Sequence, residues 1–378
     1  MKIGIDARLA LHDPHGISRY IYHFLHILAD YDKQNTYVLY IDKPDVEGIL
    51  PLRFEKRVLK SKNPFVWEQV LLPRAVKRDG IDILHCIANT APIILDKKIL
   101  LFMTVHDVMY LDRSNDALAP GNWYQRLGKM YRTLIVPRAV RRADHIITVS
   151  QFSKKEICSK LRLDDSLIEV IYQGCEFVQG DADYSIEQIK EHYGITGQYM
   201  ISFGGIAPRK NTKRSLEVFA LLQNKYNLQL VVTGLPEPLR KPFVDLAIKL
   251  NIIDKVRFLG FVPEGQLSLL LRNSKLLLFL TKYEGFGLPV LEGMLNGVPT
   301  IASNVTSVPE IAGDGAYLVN PDDDQAVLSA ISDLLTNAEM RNSFIQKGLL
   351  RSKEFTWEKN TLQVLDAYER VSARKYAQ

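Results

Sequence analysis

The chain has 378 residues, 47% of them hydrophobic and 24% charged, with a net charge of +5. That length exceeds one ordinary core and fits two domains, with the composition of a soluble globular protein. Three cysteines (Cys86, Cys158, Cys175) lack CxxC spacing, which excludes a disulfide framework or cysteine zinc site and fits a reducing cytoplasm.

The opening "MKIGIDARLA" lacks the apolar core of a secretory signal, and the longest apolar runs fall short of the ~18–20 residues of a membrane span. The expectation is a soluble or peripheral protein. "KIGIDA" reads as a strand and "GISRYIYHFLHILADY" as a helix, with Ile17, Tyr20, Ile21, Phe24, Leu25 and Leu28 at three- and four-residue spacing. "TYVLYI", "IDILHC", "ILLFMTVHD" and "HIITVS" read as strands. Their unbroken apolar runs suit a parallel sheet buried on both faces. "SQFSKKEICSKL" reads as a helix capped by Ser150. This repetition predicts an α/β first domain. The polar stretch Phe177–Asp183 reads as a linker. The pattern then restarts with "YMISFGG", "LQLVVTG", "VRFLGFV", "KLLLFLT", "PTIAS" and "GAYLVN", separated mostly by helical stretches. The predicted domains are 1–180 and 181–355, with a final helix over 356–378. Two such domains leave a cleft, and ligands of open parallel sheets sit at the carboxyl ends of strands.

Several strand-to-helix turns carry chemistry. In "TKYEGFGLPVLEGM", Glu284 falls at a strand end, and Pro289 suits the first turn of a helix that also carries Glu292. Gly285 and Gly287 let backbone amides approach a ligand, and free N–H groups at a helix start bind anions. The glutamates suit sugar or ribose hydroxyls. The alternative makes Glu292 a helix-dipole carboxylate and Glu284 a surface residue. In "SFGGIAPRKNTKRS", Arg209 and Lys210 are placed to hold a diphosphate, and Asn211 or Thr212 to cap the next helix. The alternative is a solvated basic turn.

His106 follows a strand directly and serves either as a donor or base toward a ligand, or as a structural residue held by Asp107. Gly16 stands at a loop-to-helix junction where a diphosphate could approach, without a GxGxxG fingerprint. No metal-ligand motif stands at a credible place. "PDDDQ" reads as a helix start. Residues 121–142 carry Arg126, Lys129, Arg132, Arg138, Arg141 and Arg142, no acidic residue, and an apolar set of Trp123, Tyr124, Leu127, Met130, Tyr131, Leu134 and Ile135. This is either an ordinary surface helix or one that rests on anionic lipid.

With these residues in place, the chain resembles the family 4 glycosyltransferases of the GT-B fold. "EGFGLPVLE" resembles their E-x7-E motif, supported by "GGIAPRKN", "VRFLGFVP", "NGVPTIASNVTSVPEIAGDGAYLVNPDD", "HGISRY", "VHDV" and "ADHIITVSQFSKKEI". The resemblance implies two Rossmann-like domains facing across a cleft, with the helix around Trp357 crossing back to the first. It implies retaining, metal-independent transfer of a hexose from a nucleotide diphosphate sugar, with no cofactor and no nucleic acid. The acceptor would be a glycan or lipid-linked glycan in cell-surface polysaccharide synthesis, at the inner face of the membrane.

On this resemblance, Glu284 would bind the donor sugar, Glu292 the ribose, and His106 would face the sugar. Lys210 and Arg209 would hold the diphosphate together with the amides of Gly285, Phe286, Gly287 and Leu288, with Gly16 at its border. The backbone from Gly260 to Val262 would contact the base. The mannosyltransferase branch is the nearest in wording, which favours GDP-mannose over a UDP-sugar. One departure stands out: many members carry arginine where this chain has Gly205, and Arg209 is the candidate substitute. The rival readings are a GT-B nucleotide-sugar 2-epimerase, recognised by a changed donor sugar without transfer, and a non-catalytic nucleotide-sugar binder.

Overall fold

A computed structural model of the chain describes residues 1–12, 16–112, 123–176, 184–222 and 225–376. They form two compact units. The first holds the described residues up to Gly174 together with those from Thr356 onward, and the second runs from Cys175 to Phe355. The stretch read as a linker, 177–183, lies outside the described residues.

The first unit is built on seven parallel strands: β1 (Lys2–Asp6), β2 (Thr36–Ile41), β3 (Glu55–Val58), β4 (Ile83–Cys86), β5 (Leu100–Thr104), β6 (His145–Thr148) and β7 (Ile168–Val170). Their order is β3-β2-β1-β4-β5-β6-β7. β4, β5 and β6 are buried along their whole length, as continuous apolar runs require in a sheet covered on both faces. The sequence reading does not place β3 or β7. β3 is an edge strand of charged residues (EKRV), and β7 has three residues, so neither shows an apolar run.

Helix Ile17–Tyr31 buries the predicted stripe of Tyr20, Ile21, Phe24, Leu25 and Leu28. Helix Gln151–Leu161 starts as predicted, with the Ser150 hydroxyl accepting from Ser153 N at 3.0 Å. The terminal helix Trp357–Tyr376 belongs to this unit and packs against Ile17–Tyr31. Trp357 stacks on His23 at 5.0 Å and meets Tyr20 edge-on at 5.4 Å. A Cβ on Gly174 would lie 2.3 Å from Trp357 N, so glycine is what lets the two backbones meet there.

The second unit carries six parallel strands: β8 (Tyr199–Phe203), β9 (Gln229–Thr233), β10 (Val256–Phe258), β11 (Leu277–Phe279), β12 (Thr300–Ser303) and β13 (Tyr317–Val319). The order β10-β9-β8-β11-β12-β13 is the doubly wound one. The chain leaves β8 toward β9 on one side and returns to pair β11 with β8 on the other. The crevice between the ends of β8 and β11 is therefore the unit's topological switch point, where the two connections diverge and expose strand ends. Asp323 caps helix Asp324–Thr336 by accepting from Ala326 N at 3.0 Å, so "PDDDQ" is a helix start.

Candidate functional site

Both motif-bearing turns of the second unit arrive at this switch point. β8 ends at Phe203, and Gly204 and Gly205 lead into the short turn Pro208–Lys210. A Cβ on Gly204 would lie 2.7 Å from the Val232 side chain, and one on Gly205 would lie 2.9 Å from Lys210 Cγ. The bare backbone at 205 is thus what the Lys210 side chain lies against. Thr212 fastens the turn: its hydroxyl accepts from Gly205 N and donates to Gly205 O, both at 2.9 Å. The cap expected of Asn211 takes another form. Asn211 adopts a left-handed conformation (φ 54°), and its Nδ2 donates to Leu280 O at 2.8 Å, tying the turn to the end of β11. Lys282 N donates to Arg209 O at 2.7 Å, stitching the two turns further, and the Thr281 hydroxyl lies 2.9 Å from the same oxygen, its one proton shared with Glu284.

Glu284 lies where these turns meet and is buried to 8% exposure. It accepts from Lys210 Nζ at 2.9 Å, the Thr281 hydroxyl at 3.0 Å and Arg209 Nη1 at 3.3 Å. Burial alone would raise its pKa. The charges of Lys210 and Arg209, with the hydrogen bonds from Lys210 and Thr281, outweigh burial and hold the carboxyl below its ordinary range. Lys210 and Arg209 keep 23% and 21% of their side chains exposed, so both cations reach solvent at the crevice.

Gly287 takes φ 112°, a conformation that favours glycine, and starts helix Leu288–Leu295 with Pro289 in its first turn. Glu292 is the fifth residue of that helix and is half-buried. Phe286 is buried and meets Phe355 edge-on at 6.0 Å. The loop from Glu284 to Leu288 is held from below by residues that the sequence reading does not single out. The Ser307 hydroxyl lies 2.9 Å from Glu284 O and 2.8 Å from Phe286 O, its one proton shared between them, and Glu284 N donates to Thr306 Oγ1 at 3.2 Å. Thr306 itself has φ 58°, a costly state for a β-branched residue. The signal in the sequence is "VTSVP", a hydroxyl pair between a strand and a proline-started helix.

Gly260 and Val262 flank Phe261 after β10. Gly260 O accepts from Gly234 N at 3.0 Å, and Val262 is buried. Gly205, Lys210, Arg209, Glu284, Gly285 to Leu288 and Glu292 thus gather at one strand-end crevice, with Gly260 and Val262 after the edge strand β10, which β9 separates from β8.

In the first unit, Gly16 caps helix Ile17–Tyr31 with φ 55°. His106 is buried, its Nε2 facing Ile87 O at 2.9 Å and its Nδ1 facing Gln173 Nε2 at 3.1 Å. Those contacts fit a neutral ring that donates from Nε2 and accepts at Nδ1. Burial pushes its pKa down to about 4. Gln173 and Ile87 O hold the ring, and Asp107 Oδ1 accepts from Met109 N. Helix Trp123–Arg142 buries Ile135, Val136, Ala139 and Val140 but exposes Leu127, Met130 and Leu134, so its apolar set divides between core and solvent. Residues 121–122 and the Trp123 and Tyr124 side chains lie outside the described part. Among the described residues, no helix is long and apolar enough to cross a membrane, and no group of three or more His, Cys, Asp or Glu is placed to hold a metal ion.

Residues 14–177 match the model of "Glycosyltransferase Family 4", and residues 185–351 match that of "Glycosyl transferases group 1". The chain is 30% identical to O-antigen chain mannosyltransferase B of Escherichia coli over 233 residues, 59% of this chain and 60% of that protein. It is 29% identical to O-antigen chain mannosyltransferase RfbU of Salmonella typhimurium over 273 residues, 71% of this chain and 70% of that one. The matched part thus spans under two thirds of the first of these, and 29% of one longer curated relative. Among solved structures, Anabaena HepE in complex with UDP and glucose superposes with a TM-score of 0.72 at 17% identity, covering 98% of this chain and 100% of that one. A likeness at that identity shows the fold, which is GT-B.

Proposed function

The chain belongs to the glycosyltransferases, family 4 in its first part and group 1 in its second, and on that premise we propose that it moves a hexose from a nucleotide diphosphate sugar to a glycan or lipid-linked acceptor. The observation that carries this reading is the meeting of Lys210, Arg209 and Glu284 at the switch point between β8 and β11, beside the start of helix Leu288–Leu295. Two cations and a helix start suit a diphosphate, and a carboxylate beside them suits the hydroxyls of the sugar it carries. In this reading the bond from the anomeric carbon to the phosphate oxygen breaks, and the acceptor oxygen bonds to the same face. The acceptor proton passes to a phosphate oxygen. Lys210 and Arg209 stabilise the charge that gathers on the departing diphosphate, without a metal. Glu284 positions the sugar, and Glu292 takes the ribose. His106 faces the sugar in this reading, a role that requires Gln173 to release its Nδ1.

The mannosyltransferase relatives support mannose as the sugar and O-antigen or related surface polysaccharide as product, and this reading takes GDP-mannose as the donor. The UDP-bound HepE structure makes a UDP-sugar the second choice. A peripheral site of action at an anionic membrane surface completes the reading. It is supported by the exposed Leu127, Met130 and Leu134 on a helix that carries six basic residues and no acidic one.

The test is a thermal-shift screen of GDP-, UDP- and ADP-sugars, followed by turnover with the donor that binds. Lys210→Ala should lower kcat by about 10²–10³-fold, the effect of losing one stabiliser of transition-state charge. Unchanged turnover in that variant would remove Lys210 from the mechanism, and no shift with any donor would remove the reading.

A further inference from the structure

The first unit has a switch point of its own, between β1 and β4, and a polar assembly occupies it. Arg8, just past the end of β1, donates from Nε and Nη2 to Asp6 at 3.0 and 2.7 Å, and from Nη2 to Glu68 at 2.8 Å. Its guanidinium stacks on the Trp67 ring at 3.8 Å. Glu68 is 1% exposed and accepts further bonds from the Thr90 hydroxyl (2.6 Å), the Tyr131 hydroxyl (2.5 Å) and Gln69 Nε2 (2.9 Å). Four donors saturate that carboxylate. Burial alone would lower the pKa of Arg8, but Asp6 and Glu68 raise it above its ordinary value, so it stays charged.

Two buried carboxylates paired with a partly buried arginine are a costly way to stabilise a fold, because desolvation consumes most of what the pairing returns. A binding role explains them better, and two further features agree. Trp67 and Glu68 lie on a π-helical turn, Trp67–Leu71, an irregularity that recurs at functional sites. Asn89, on the loop after β4, has φ 66°, and its Oδ1 accepts from His106 N while the next residue, Thr90, holds Glu68. Strain of this kind clusters where a ligand is gripped.

The ligand-facing group is Arg8. Asp6, Glu68 and Trp67 fix its plane. Its Nη1 donates to no described residue and is not among the buried polar atoms left without a partner, so it faces solvent. The assembly of one arginine and two carboxylates sums to −1, which disfavours phosphate and suits a neutral oxygen acceptor such as a sugar hydroxyl. We propose that Arg8 Nη1, positioned by Asp6 and Glu68, is a hydroxyl-binding subsite of the first unit that takes the neutral terminal sugar of the acceptor. This rests on the glycosyltransferase reading above and deepens it.

The experiment is saturation-transfer NMR of the full chain with methyl α-mannoside, methyl β-glucoside and methyl α-galactoside, with GDP and UDP melting shifts run in parallel. The expected result is saturation of at least one glycoside. That signal should fall about ten-fold in Arg8→Lys, which keeps the charge and loses the fork, while the nucleotide shift is unchanged. If Arg8→Lys fails to fold, Tyr131→Phe carries the test: it frees one corner of Glu68 and should weaken the same signal. Wild-type signal in whichever variant folds, or no glycoside bound by a chain that binds nucleotide, overturns the subsite alone. No shift with either nucleotide overturns the glycosyltransferase reading itself.

Discussion

Gly205 shows how one side chain's absence positions another. At position 205 the bare backbone receives the Lys210 stem, and an added Cβ would stand 2.9 Å from Lys210 Cγ and 3.3 Å from its Cβ. Arg209 and Lys210 both converge on Glu284. Gly205→Ala should push Lys210 aside and lower kcat/KM by about 10–10²-fold, since displacement by an ångström is enough for such a loss. If the effect runs through Lys210, the double variant with Lys210→Ala will be no slower than Lys210→Ala alone. Additive losses in that cycle would show that position 205 acts by another route.

At the scale of the element, helix Trp123–Arg142 divides between core and solvent along its length. Its second half anchors in the core through Ile135, Val136, Ala139 and Val140. Ahead of that anchor it presents Leu127, Met130 and Leu134 at spacings of three and four, one exposed stripe between basic residues. Phe65, half exposed, meets Tyr131 at 6.0 Å and widens the apolar patch. The chain should therefore co-sediment with vesicles rich in anionic lipid and not with neutral ones. Replacing Leu127, Met130 and Leu134 together by serine should abolish the binding, and raised salt should weaken it. Equal binding to neutral vesicles, or binding that survives the triple replacement, would assign this face to something other than anionic lipid.

For the whole molecule, acid should act on the two units unequally. His85 and His106 are buried in the first unit, and burial lowers their pKa values to about 3 and about 4. In the unfolded chain both titrate near ~6.5, so below that pH the unfolded state binds protons that the folded state refuses. Stability from these two residues is complete above about pH 6.5 and is lost as pH falls toward 4, on the order of 1–2 kcal/mol each by pH 5. Glu284 in the second unit is shifted downward, so its contribution is present above its ordinary pKa of 4.5 and is lost only below it. All three tryptophans, Trp67, Trp123 and Trp357, belong to the first unit, so their fluorescence follows its unfolding. The fluorescence melting temperature should drop by on the order of 5–10 °C between pH 7 and pH 5. A flat profile over that range would mean that these histidines accept protons in the folded state.

The sequence by itself determined the two α/β repeats, because a strand buried on both faces must be a continuous apolar run, as "ILLF" and "LLLF" are. It also determined the backbone geometry of the second-unit turns. Glycine, proline and glutamate act there through local backbone geometry, which is written in neighbouring residues at 284–289. Strands β3 and β7 escaped because an edge strand of charges and a strand of three residues have no such run. What only the tertiary structure decided is who meets whom. Lys210 reaches Glu284 across 74 residues of chain, Ser307 holds the Glu284 loop from 23 residues away, and Glu68 fixes Arg8 from 60. The physical reason is that a parallel sheet brings strand ends together through crossovers whose lengths carry no local signal. Partners at those ends are chosen by strand order, and strand order is a property of the folded sheet.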